Sequence, residues 1–191
     1  MDYRQMRYQK IMLVAALVLS SISFVYSLGF ATDLYNLIYF ADPSSSMLYV
    51  EGADIYYLIQ PFNMSLLKYT AILLGLCLTM FMTLTHRRRL YYTSNYITTI
   101  AFLGYAGFLG STILINALYI KQQYLMIDFN RVKEVTDLLN LRYVESTMML
   151  DIGIGLSAAL FLLAAGLAIN LVWKTVDMSK EKRLAREAEA S

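Results

Sequence analysis

Residues 69–96 read YTAILLGLCLTMFMTLTHRRRLYYTSNY. The first 17 of these carry no charge. The chain's only histidine and three consecutive arginines then follow, with three of its sixteen tyrosines close behind. A second uncharged run, residues 97–120, begins at once. A connection this short between two such runs has two readings. It is a phosphate or nucleic-acid site, or it is the hinge between two buried helices. His86 has no metal-ligating company beside three cations. Three arginines directly after an apolar run stop translocation and bind anionic headgroups, at about 1 kcal/mol per residue near the surface. The tyrosines suit the aromatic belt at a membrane interface. The hinge reading makes Arg87, Arg88 and Arg89 membrane anchors and requires the flanking runs to be spans.

Working outward, two more uncharged runs appear at residues 11–31 and 152–173. A hydrocarbon core about 30 Å thick needs roughly 20 helical residues. The run at 69–85 reaches that length as 66–85 if Lys68 snorkels to the headgroups. Hydrophobic residues make up 58% of the 191 and charged ones 16%, against about a quarter charged in a soluble domain. The expected fold is an all-α membrane protein forming one four-helix domain, with spans at about 11–31, 66–85, 97–120 and 152–173. A net charge of +2 is too small to imply nucleic acid, and one cysteine, Cys77, allows no intramolecular disulfide.

Eleven of the sixteen lysines and arginines fall in the N-terminal ten residues, the arginine hinge and the tail at 174–191. The outer segments at 32–65 and 121–149, with their span ends, hold the other five and nine acidic residues. The positive-inside rule therefore places both termini and the hinge in the cytoplasm of a multi-pass protein of the cell membrane. The basic start and the small residues Ser27, Gly29 and Ala31 also resemble a secretory signal. The apolar run is longer than the 7 to 15 residues of a signal core, so an uncleaved anchor is expected.

Small residues mark helix interfaces in lipid, where no hydrophobic drive brings helices together. Gly153, Gly155 and Ala159 on the fourth span, and Gly104, Gly107 and Ser111 on the third, predict close packing of these two. Polar residues are sparse within the spans. Thr79, Thr83 and Thr85 can bond their own helix's carbonyls, Asn116 and Asn170 lie near span ends, and no Glu, Lys, Arg or His stands mid-membrane. That pattern argues against an ion-coupled transporter or proton pump.

The first outer segment offers "MLYVEGADIYYLIQPF" at 47–62, either a β-hairpin or a strand, turn and short helix opening at Asp54, with Pro61 ending either. The second predicts an amphipathic helix through Phe129, Val132, Leu139 and Tyr143. These two structured extracellular loops supply the expected partner surface: Tyr49, Glu51, Asp54, Tyr56, Tyr57, Phe129, Leu139 and Tyr143. Asp42, Glu51 and Asp54 lack the spacing of a calcium loop, and "NMS" at Asn63 matches a glycosylation sequon close to the membrane. The tail "SKEKRLAREAEA" suits a helix, with Arg183 and Glu187 four apart.

Phosphate-binding glycine loops, CxxC, HExxH and GxSxG are all absent from the sequence. Neither catalysis, a cofactor nor a metal is expected. The segments "GADIYYLIQPFN" (52–63), "HRRRLYYTSNYI" (86–97) and "NLVWK" (170–174) together resemble small four-span membrane proteins of anaerobic Gram-positive bacteria that accompany carbohydrate ABC importers. The resemblance implies a non-catalytic accessory subunit. Its partners would be a permease or an extracellular binding protein, together with anionic lipids. A self-assembling channel and an extracellular peptide sensor or immunity protein are the alternatives.

Overall fold

The computed structural model describes residues 3–31, 38–39, 53–85, 92–133, 142–143 and 145–189. Four long helices dominate: α1 (Tyr3–Ala31), α2 (Ala53–Thr85), α3 (Tyr92–Tyr124) and α4 (Met148–Glu189). All four contain stretches long and apolar enough to cross a membrane. The chain is therefore a multi-pass membrane protein of the all-α class.

Each helix buries one narrow seam. On α2 it runs Ile55, Ile59, Phe62, Leu66, Thr70, Leu73, Cys77 and Met80. Every step is three or four residues, the period of helices packed side by side. Small and polar residues are frequent in the seams: Ala16, Ser20, Ser23 and Ser27 on α1, Ala106 and Ala117 on α3, Ser157 on α4. Large apolar residues point the other way, with Val25 at 65%, Met82 at 67%, Ile115 at 67% and Leu162 at 75% exposure. Lipid solvates such side chains, whereas close backbone approach and hydrogen bonds hold the interior.

The helices overrun the apolar runs. At 1.5 Å per residue the 42 residues of α4 extend about 63 Å, roughly twice a bilayer core. Its continuation through the tail to Glu189 carries the Arg183–Glu187 ion pair at 2.9 Å. The largest departure from expectation is in α2, which starts at Ala53 and passes through Pro61 instead of ending there. Proline lacks an N–H and costs about 3 kcal/mol inside a helix, yet Pro61 lies on the exposed side. The buried seam from Ile55 to Leu66 continues past it, and packing overrides the local preference.

The chain divides into two compact units, and every long helix contributes to both. The terminal unit comprises Met1–Ser21, Leu73–Phe108 and Ala159–Ser191; the loop unit comprises Ile22–Ile72 and Leu109–Ala158. In the loop unit, β1 (Ile38–Tyr39) pairs antiparallel with β2 (Arg142–Tyr143), in the register Ile38 to Tyr143 and Tyr39 to Arg142. This two-residue bridge corrects the helical placement of Tyr143. Residues 129–133 are helical as expected.

Candidate functional site

In the terminal unit the seams end in polar residues that meet. Lys174 is only 4% exposed, and its Nζ donates to Asn95 Oδ1 at 2.7 Å. The ammonium also lies 5.4 Å from the centre of the Tyr96 ring, within cation–π range. The Tyr96 hydroxyl in turn pairs with the Thr175 hydroxyl at 2.8 Å. Gln5 is fully buried and donates from Nε2 to Asn170 Oδ1 at 3.0 Å and to Gln9 Oε1 at 3.2 Å. Tyr8 donates to the Gly166 carbonyl at 3.2 Å and packs at 6.1 Å on Trp173. Thr83 and Thr98 bridge α2 and α3 at 3.1 Å. The arrangement ties α1 and α3 to α4, and α2 to α3, by side-chain hydrogen bonds. Such bonds do not depend on excluding water, and so remain effective where the hydrophobic drive is absent.

The loop unit carries its own set. Ser27 and Thr70 pair at 2.7 Å, and Thr70 also donates to the Leu66 carbonyl at 3.0 Å. Tyr26 donates to the Met149 carbonyl at 2.9 Å. Gly153 makes this contact possible: a Cβ there would collide with the Tyr26 hydroxyl and stand 3.1 Å from Cζ. Ser157 donates to the Gly110 carbonyl at 2.6 Å, joining α3 to α4. The Lys121 ammonium pairs with Asp151, which also accepts from Thr147 at 3.1 Å. Tyr124 and Phe129 meet edge to face at 5.2 Å.

Several expectations change here. Of the small residues, Gly153 and Ser157, one turn on, lie at helix contacts, but the Cα faces of Gly104, Gly107 and Gly155 do not. A Cβ added at any of these three meets nothing within 4 Å. Ser111 and Ala159 are half-buried. Thr79 and Thr83 bond the Leu76 and Met80 carbonyls of their own helix. Asn63 is 2% exposed within α2, which denies the sequon the accessible loop that glycosylation needs. Asp54, Tyr56 and Tyr57 fall in the first turns of α2, and Tyr143 in β2. Tyr49, Glu51, Leu139, Arg87, Arg88 and Arg89 lie outside the described residues, as does the choice between hairpin and strand-turn for residues 40–52.

By composition, Gln5, Asn95 and Lys174 are mere flanks of the spans. The signal that finds them is the seam period. Lys174 stands seven residues after Leu167, Asn95 seven before Phe102, and Gln5 eight before Leu13, so each occupies a continuing buried position. Among the described residues no group of three or more His, Cys, Asp or Glu is placed to hold a metal. What the buried groups do chemically is donate and accept hydrogen bonds between helices. No protein-family model, curated protein or solved structure matches this chain.

Proposed function

We propose that the chain is a non-catalytic subunit of the cell membrane that packs against a larger transport complex, with both termini in the cytoplasm. A carbohydrate importer of the ABC type is the partner that the sequence resemblance implies. The observation carrying this reading is the open space beside Gly104 on α3 and Gly155 on α4, where a Cβ would meet nothing within 4 Å. A glycine inside a helix costs about 1 kcal/mol relative to alanine. Packing within the chain does not require glycine at either position. Facing outward, they leave shallow tracks in which a helix of another protein can lie against the backbone. The outer segments, joined by the β1–β2 bridge, would meet the permease or its extracellular binding protein.

The same open glycines suit a second copy of the chain, which is the reading of a self-assembling pore. One experiment separates the two. A tagged chain is extracted in mild detergent, and co-purifying proteins are identified by mass spectrometry. Recovery of permease and ATPase subunits in fixed ratio supports the accessory subunit. Recovery of this chain alone, at a discrete higher mass, rejects it in favour of self-assembly. Single cysteines placed at Arg88 and Asp128 in a Cys77→Ser background test the orientation, with only the second expected to react with an impermeant reagent added outside.

A further inference from the structure

Arg4, Arg7 and Lys10 stand three residues apart on α1, and all three are exposed. At 3.6 residues per turn they fall within one sector of about 120°. Ile11, Val14 and Val18 fall in the same sector, exposed by 53%, 55% and 52%. One face of α1 within the terminal unit therefore reads as three cations followed by an apolar track.

The depth of these cations is set by α4. Gln5 meets Asn170 at 3.0 Å, Tyr8 meets Gly166 at 3.2 Å, and a Cβ on Gly166 would lie 2.7 Å from Met12 Sδ. The two helices run antiparallel in this register. Arg4 and Arg7 then lie within about 3 Å, along the axis, of the level of Asn170. At that height α4 exposes Ile169 by 59% and Val172 by 63%, side chains suited to lipid. The cations are thus held where the neighbouring helix offers hydrocarbon contacts. Sliding α1 outward by a turn would break the Gln5 and Tyr8 hydrogen bonds.

We propose that Arg4, Arg7 and Lys10 bind the phosphate of an anionic glycerophospholipid in the leaflet at this end, with an acyl chain along Ile11, Val14 and Val18. A cluster of cations at this depth favours an anionic neighbour. A lipid phosphate supplies one at the same height, and arginine forks match its oxygens. The apolar track continuing from the cations on the same face selects a lipid over a free anion. The site rests on the membrane-spanning fold and is independent of the transport-complex reading.

The test is native mass spectrometry of the full chain in mild detergent. Phosphatidylglycerol and phosphatidylcholine with identical acyl chains are the probes. The unaltered chain is expected to retain phosphatidylglycerol preferentially. Each cation contributes about fivefold, so Arg4→Gln, Arg7→Gln and Lys10→Gln together should weaken retention roughly a hundredfold. Arg7→Glu alone, which leaves Gln5 and Tyr8 in place, should reduce it strongly and serves if the triple variant does not fold. Neutralising Arg87, Arg88 and Arg89, which anchor headgroups of their own, should lower total retention of phosphatidylglycerol without abolishing the preference. Equal retention of both lipids, survival of the preference in the folded triple or Arg7→Glu variants, its loss on neutralising the hinge arginines, or displacement by millimolar inorganic phosphate would each overturn the assignment.

Discussion

Lys174 Nζ donates to Asn95 Oδ1 across 2.7 Å and joins α4 to the first turn of α3. The ammonium is almost wholly buried, so its acceptor matters more than at a surface. Replacing Asn95 by Leu should cost about 2 kcal/mol, the scale of a hydrogen bond to a charged group. Removing both partners together, as Asn95→Leu with Lys174→Met, should lie within about 1 kcal/mol of the parent, because no buried charge is then left without that acceptor. Trp173 is the only tryptophan and adjoins Lys174, so its fluorescence during denaturation in micelles can follow both variants. A double variant as unstable as the single one would show that Lys174 has a further packing role.

How far these contacts could be read from the sequence depends on what each residue signals. Long uncharged runs identify four spans because a charge in lipid is expensive, and no tertiary knowledge is needed. The helix ends are harder. Gln5, Asn95 and Lys174 look like solvated flanks by composition, and only the continuation of the seam shows that they turn inward. Pro61 signals a break that the buried face of α2 overrides. For glycines, composition cannot say which face is in contact: Gly153 meets Tyr26, whereas Gly155, two residues on, faces open space. Tyr143 fits a helical spacing, but its pairing with Ile38 depends on a distant segment.

Ser27 and Thr70 share a hydrogen bond at 2.7 Å between α1 and α2. Thr70 also bonds the Leu66 and Leu67 carbonyls of its own helix, so it keeps partners when Ser27 is removed. A double-mutant cycle with Ser27→Ala and Thr70→Ala should therefore give a coupling of only about 0.6 kcal/mol, the average for such bonds in membrane bundles. A coupling above about 2 kcal/mol, beyond the largest typical of such bundles, would mean that the pair is a principal lock between these helices.

The Lys121–Asp151 pair is partly open to solvent, with side-chain exposures of 29% and 48%. Surface ion pairs contribute between about 0 and 1 kcal/mol. Asp151→Asn should therefore lower stability only slightly, and molar salt should shrink the difference further. Thermal melts at two ionic strengths measure both effects. A larger, salt-insensitive loss would point instead to the Thr147 hydrogen bond at the start of α4 as the main contribution of Asp151.

The glycines give the sharpest contrast between stability and assembly. Alanine at Gly153 must displace the Tyr26 hydroxyl from the Met149 carbonyl, and overpacking of this kind costs about 1 to 3 kcal/mol. Adding Tyr26→Phe removes the oxygen in the way and should restore part of that loss, although Cζ at 3.1 Å remains tight. Alanine at Gly104 or Gly155 meets no neighbouring atom and should leave the isolated chain unchanged or stabilise it by up to about 1 kcal/mol through helix propensity. Leucine at these two positions separates fold from function. If they face a partner helix, Gly104→Leu and Gly155→Leu should keep a native melting curve while losing the co-purifying partner. If they face lipid alone, both properties should be retained. A Gly155→Leu chain that melts normally and still carries its partner would remove α4 from the proposed interface and leave α3 to be tested by itself.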